Sequence, residues 1–357
     1  DRSQQRARWI TTLGVQHGPM VPSPGALLAC ALLLSRVLVA APQSAHGFRS
    51  HTVHDPELGR IDLHLVDRHL QDTLPLLVFL DGSGAHPIMA VMQGPDGSWQ
   101  TYSTVPRTLQ EAADKHHVLL VSKPGVALID TVHGDIHEPP AAYTERLSAE
   151  WRARAASRAI TEVLALYPVD RDRIGVLGFS EGAQVAPRVA VIDPRITHVM
   201  AFAGGALNQF FHPIIELRMD AARGAITHQE AQARIDSLFA EYERIYADPQ
   251  ATDKSYWGHS YLRWSSFTDP PTLDAFVSLD IPVYLAQGST DRNTQPLGAD
   301  YVRLEFLRRR KTNLTFRAYP GCDHSFNCVA ADASGNEVRT MRLNEALGEA
   351  LEWFVEQ

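Results

Sequence analysis

The chain predicts an α/β fold, a mostly parallel central sheet with helices on both faces. Three observations carry that expectation. Continuous apolar runs recur at 74–80, 118–121 and 174–177, as strands buried on both faces require, and 196–202 reads as a further strand. Segments of helical periodicity separate those runs. One interruption, from about 206 to 280, falls between two consecutive strands and carries helical patterning of its own.

Taken in order, residues 51–67 read as an antiparallel hairpin turning at Asp55-Pro56-Glu57-Leu58-Gly59. The run 74–80 ends in Asp81-Gly82-Ser83-Gly84, 108–116 patterns as a helix, and 118–121 stops at Lys123-Pro124-Gly125. Over 148–167, Trp151, Ala155, Ala159, Val163 and Leu166 recur near helical spacing, and Pro168 ends the segment. A strand to Leu177 and a helix from about Glu181 follow. Pro187, inside that helix, is expected to bend or shorten it. The strand 196–202 closes at Gly204-Gly205.

Inside the interruption, Thr227-His228-Gln229-Glu230 is a capping box. It opens a helix with Ile235, Leu238, Phe239, Tyr242, Ile245 and Tyr246 on its apolar side. Alternation then resumes with a strand at 281–285, a helix at 297–309, a strand at 314–318 and a last helix at 340–355. The interruption would sit over the C-terminal edge of the sheet, where ligands bind in such folds, as a helical cap.

Residues 1–47 differ from the remainder. Arg2, Arg6 and Arg8 precede an apolar stretch at 25–41, broken by Ser35 and Arg36, with small residues up to Ala45. The pattern is similar to a secretory signal and predicts export, periplasmic or secreted; a disordered leader on a cytoplasmic chain is the bland alternative. Leu27-Leu28-Ala29-Cys30 also resembles a lipoprotein cleavage box, although Cys30 lies within the apolar run. Elsewhere no stretch approaches the ~20 apolar residues of a membrane span. The 357 residues are 45% hydrophobic and carry a formal net charge of -8. That charge argues against nucleic acid as a partner, since phosphate binding wants a basic face.

Chemistry enters at Gly178-Phe179-Ser180-Glu181-Gly182, directly behind an apolar run. This is G-x-S-x-G on a strand-to-helix turn, where glycines avoid collisions and the serine hydroxyl is lifted clear. A hydroxyl is a poor nucleophile unless a base takes its proton and a carboxylate orients that base. Asp291 stands in Gly288-Ser289-Thr290-Asp291-Arg292, beyond one strand. His324 stands in Asp323-His324-Ser325-Phe326, beyond the next. Competing acids fit less well. Asp280 precedes its strand, Asp300 lies within a helix, and Asp323 is adjacent to His324.

With the order Ser180, Asp291, His324, the chain resembles the α/β-hydrolases over roughly residues 50–357. That resemblance implies Ser180 as nucleophile, His324 as base and then acid, and Asp291 as its orienting partner. It also implies an oxyanion hole from the backbone of Glu181 and of the Gly82-Ser83 segment. Many relatives carry histidine where this chain has Asp81. The expected activity is hydrolysis of a carboxylic ester, of small-molecule or short acyl type, without a cofactor. A serine peptidase or amidase similar to the prolyl oligopeptidase group shares the machinery; no N-terminal propeller is read here. A thioesterase is a further option, and a silent ligand-binding member is the non-enzymatic one, against which the intact triad argues.

Several residues stay open at this level. Glu181 either pairs with an arginine, faces water, or binds a basic substrate group. Tyr256, Trp257, Tyr261, Trp264 and Phe267 form either cap core or substrate lining. Cys322 and Cys328 bracket His324 and either pair, as an oxidising compartment favours, or stay free thiols. His51-x-x-His54 and His133-x-x-x-His137-Glu138 lack the helical spacing of a zinc site, so no metal is expected. Asn313-Leu314-Thr315 matches a glycosylation signal but begins a strand.

Overall fold

The computed structural model describes residues 43–94, 96–132, 138–332 and 334–357. Residues 1–42 of the leader, with Cys30, lie outside the described residues, as do His133 and His137. Nine strands form the main sheet: β1 Gln43–Ala45, β2 Phe48–Asp55, β3 Gly59–Val66, β4 Leu74–Leu80, β5 His117–Val121, β6 Val169–Phe179, β7 His198–Phe202, β8 Val283–Gly288 and β9 Leu314–Tyr319. Their spatial order is β1-β2-β3-β5-β4-β6-β7-β8-β9. The first four neighbours pair antiparallel, and every contact from β5 to β9 is parallel.

Alternation along each strand divides its side chains between two faces. Leu76, Val78, Ile174, Val176, Val199, Ala201, Val283 and Leu285 meet one helical layer. It consists of α3 Ala149–Leu166, α4 Glu181–Ile192, α8 Thr272–Ser278 and α9 Leu297–Arg308. Leu77, Phe79, Leu177, Met200, Phe202 and Tyr284 meet the other, from α1 Arg107–Ala112 and α10 Leu343–Glu356. Double coverage explains why these strands are apolar where both helical layers cover them.

Three features add to or differ from the sequence reading. α4 runs five residues beyond Pro187; the proline sits in a fully buried stretch whose packing holds the helix despite the lost N–H. The last helix starts at Leu343, because Glu337–Met341 is a strand paired with Asn327–Ala331. Val338 and Thr340, β-branched, suit that ladder. A small sheet of Met89–Gln93, Trp99–Ser103 and Ile129–Thr131 is not read from the sequence; its strands are short, and Trp99–Ser103 is largely exposed. Among the described residues no helix is long and apolar enough to cross a membrane.

The stretch between β7 and β8 has two parts. α5 Phe211–Ala222, α6 His228–Ala247 and α7 Tyr261–Thr268 build a separate small core around Phe210, Ile235, Tyr242, Ile245 and Trp264. The capping box of α6 forms as read, with Thr227 and Glu230 bonded reciprocally. From the end of α7 the chain returns to the sheet: Phe267 of α7, then Phe276 and Leu279, join the main core.

Candidate active site

The serine turn is forced by close approach. A methyl group on Gly178 would sit 2.0 Å from the Gly182 carbonyl oxygen, and one on Gly182 would sit 2.0 Å from that of Leu80. Only glycine allows β4, β6 and α4 to meet this tightly. Ser180 itself takes φ 55° and ψ -114°, a sparsely populated conformation for a residue with a side chain. Its N–H donates to the Phe202 carbonyl at 2.9 Å, which pins the turn to β7.

Beyond the C-terminal ends of β8 and β9, two loops bring Asp291 and His324 to the serine. His324 Nε2 lies 3.1 Å from Ser180 Oγ, and Nδ1 lies 2.9 Å from Asp291 Oδ2. Burial alone would raise the pKa of Asp291; its hydrogen bond and charge interaction with His324, and the Thr294 donors, outweigh this and lower it. The ionised carboxylate accepts, so Nδ1 carries the ring proton and Nε2 is free to accept from the serine. Asp291 also takes the N–H groups of Asn293 and Thr294 at 2.8 and 2.9 Å, and the Thr294 hydroxyl at 2.6 Å. Gln287 donates to it at 3.0 Å. Gln287 and Thr294 escaped the sequence reading, although Asp291-x-x-Thr294 is the spacing of a side chain bonding backbone three residues on.

Cys322 and Cys328 are joined by a disulfide that closes the His324 loop. Within it, Asp323 accepts the N–H groups of Ser325 and Asn327 at 2.9 Å each, so this carboxylate serves the turn. The Phe179 ring meets the imidazole edge-on, centroids 5.6 Å apart. Gly82 borders the serine: a methyl there would stand 3.9 Å from Ser180 Oγ. Ser83 lines the same cavity, and Glu181 opens α4, where the first N–H groups have no partner within the helix.

Glu181 is 3% exposed and anchors a row of mostly buried charges that sequence reading missed. Arg152 donates to it at 2.8 Å and to Asp81 at 2.7 Å. Lys123 donates to Asp81 at 2.6 Å. Arg263, from α7 of the cap, grips Glu181 through Nε at 3.2 Å and through Nη2. Burial raises the Glu181 pKa, but Arg263, Arg152 and Lys123 overcome it and hold the group down at about 2. Both oxygens are thus engaged by protein guanidinium groups, which answers the question of a basic substrate group. Arg152 also donates to the Asp81 carbonyl at 3.0 Å, so it ties the Gly82 turn to the serine turn.

The cavity over Ser180 is about 290 Å³ and is lined by Trp257, Trp264, His259, Arg263, Gln209 and His212, among others. Of the five aromatic residues left open between cap core and lining, Trp257 and Trp264 border it. Tyr256 and Tyr261 pack into the cap core, with the Tyr261 hydroxyl on Glu241 at 2.8 Å, and Phe267 belongs to the main core. Helical spacing could not separate these fates. Elsewhere His51 Nε2 lies 2.7 Å from the Tyr167 hydroxyl. Among the described residues no cluster of His, Cys, Asp and Glu is arranged for a metal.

The sheet order, the strand-to-helix turn and a family model for the alpha/beta hydrolase family matching residues 77–333 agree. The chain belongs to that family. Among solved structures, it is similar to the acylaminoacyl peptidase of Pyrococcus horikoshii at 14% identity and TM-score 0.53, over 86% of this chain and 41% of that one. It is similar to the alpha/beta hydrolase GrgF of Penicillium sp. sh18 at 14% identity and TM-score 0.50, over 85% and 96%. A puromycin-hydrolyzing peptidase of Mycobacterium tuberculosis aligns at 16% identity and TM-score 0.50, over 86% and 38%. The chain thus spans about two fifths of the peptidases it matches. No curated protein sequence matches it. At these identities the likeness concerns the fold, which is that of a hydrolase.

Proposed function

We propose that this hydrolase cleaves carboxylic esters through an acyl-enzyme on Ser180. The observation that carries the reading is the position of His324, 3.1 Å from the serine oxygen and 2.9 Å from a buried carboxylate. Ser180 Oγ attacks the ester carbonyl carbon while its proton passes to Nε2. The N–H of Glu181 and one from the Gly82-Ser83 turn take the developing oxyanion; donors of this kind are each worth roughly 10²–10³ in rate. The imidazolium gives its proton to the departing alcohol. Water, deprotonated by the same nitrogen, releases the acid and restores the serine. Asp291 fixes the tautomer and stabilises the cation throughout.

Three supports bear on the rest. The 290 Å³ cavity suits short acyl or alcohol groups. The cap from α5 to α7 supplies part of its wall. The disulfide beside His324 supports action in an oxidising compartment, in line with the leader.

The test is a panel of p-nitrophenyl esters of increasing chain length beside p-nitroanilides, with a fluorophosphonate probe for the nucleophile. Ester turnover well above anilide turnover, with labelling lost in Ser180→Ala, is expected. Anilide turnover that exceeds ester turnover would move the reading to a peptidase or amidase. Labelling that survives the substitution would remove Ser180 from the mechanism.

A further inference from the structure

Four buried charges and the half-buried Asp81 form an alternating row: Lys123, Asp81, Arg152, Glu181, Arg263. It has three cations for two carboxylates, so it is one anion short. At the Lys123 end the ammonium is capped by the Gly84 carbonyl at 2.8 Å. At the other end Arg263 borders the cavity over Ser180.

Arg263 is held there rigidly. Its guanidinium carbon lies 4.3 Å from the Trp264 ring centre and 4.7 Å from that of Phe267. Nε and Nη2 are spent on Glu181, and Nη1 donates to Gln209 at 2.7 Å. Two of its five N–H groups have no partner among the described residues. Glu181, already engaged, is the one acidic residue among the described residues that line the cavity. His259 lies beside it with Nδ1 at 3.3 Å from the Tyr143 hydroxyl, so its Nε2 edge is not occupied by that contact. A guanidinium at 3% exposure is weakly screened, which makes an anion there worth more than on the surface.

We propose that the cavity selects substrates bearing a second, free carboxylate, which docks on Arg263 while the ester carbonyl meets Ser180. This specificity rests on the Ser180 ester-hydrolase reading and names its substrate class: monoesters of short dicarboxylic acids. The carboxylate completes the alternation of charge that the protein leaves open.

The experiment compares mono-4-nitrophenyl glutarate with 4-nitrophenyl pentanoate, an acyl chain of equal length without the charge. The carboxylate ester should have the higher kcat/KM by about 10-fold, carried by KM, as a charged hydrogen bond of ordinary strength implies. Arg263→Gln should bring the ratio to about 1, and Arg263→Lys should leave it intermediate. Because Arg263→Gln strips Glu181 of a partner and can fail to fold, the wild-type protein supplies an independent readout. Free glutarate should protect Ser180 from the fluorophosphonate, and pentanamide at equal concentration should not. A wild-type ratio at or below 1, or no protection by glutarate, overturns the proposal while leaving ester hydrolysis intact. If neither ester is cleaved and Ser180 stays unlabelled, the hydrolase reading fails. Saturable change in tryptophan emission with glutarate then decides the anion site by itself, through Trp257 and Trp264: its presence supports the site and its absence removes it.

Discussion

Arg263 of the cap and Glu181 of the serine turn form an ion pair whose side chains are 4% and 1% exposed. The cap is therefore tied to the residue that follows the nucleophile. Removing one partner of a buried pair leaves the other charge uncompensated, at a cost of about 3–5 kcal/mol. Glu181→Gln should lower the urea midpoint markedly at neutral pH and loosen the cap, seen as faster hydrogen exchange in α7. A midpoint within error of wild type would show that the pair contributes nothing to stability.

Stability should also depend on pH in a defined window. Burial holds His64, His198, His212 and His259 down to about 4 in the folded chain. Unfolded, each titrates near the usual 6.5. Between those values the unfolded state binds more protons, so stability is fully present above about 6.5 and is lost as pH falls toward 4. Urea midpoints at pH 7.5, 6, 5 and 4 should fall steadily. A flat profile across that range would contradict the burial of these rings.

Ser180→Ala and His324→Ala should each reduce ester kcat by at least about 10⁴-fold, with far-ultraviolet circular dichroism unchanged. Combining them should cost little more than either alone, because the two act as one unit. Additive losses would mean that they do not.

Thr294 places its hydroxyl 2.6 Å from Asp291 Oδ2 and 2.7 Å from the Ala203 carbonyl. Thr294→Val removes that donor from a carboxylate that must keep its orientation. A drop of about 10-fold in kcat with KM little changed is expected, and Thr294→Ser should recover most of it. Equal loss in both variants would point to packing of the methyl group instead.

Reduction of the Cys322–Cys328 bridge frees the loop that carries His324. For a loop this short the chain-entropy model gives about 2 kcal/mol of stability. Cys322→Ser/Cys328→Ser should lower both the melting temperature and kcat. Full activity in that variant would show that the hydrogen bonds of Asp323 suffice to hold the turn.

Much of the fold was legible because burial on both faces writes itself as unbroken apolar runs. Residues 74–80 and 174–177 are examples, and the register pairs Val78 with Val176. The sheet strand Trp99–Ser103 leaves no such mark, since solvent takes up much of its surface. Ser180, Asp291 and His324 could be named from their places after strand ends. Their partners Gln287, Thr294 and Arg152 could not, because a hydrogen bond across the fold has no local pattern.

Sequence by itself determined the layered architecture, the glycine-flanked serine turn and the chain order of the three polar residues. Each depends on near neighbours or on a strand's periodicity. Tertiary structure alone decided that Glu181 faces two arginines and that Trp257 borders the cavity while Phe267 does not. It also decided that a mostly buried row of charge ends on Arg263. Those facts follow from contacts between segments up to about a hundred residues apart, such as Glu181 and Arg263 at a separation of 82. No local preference encodes such a distance; only the packed chain brings the groups together.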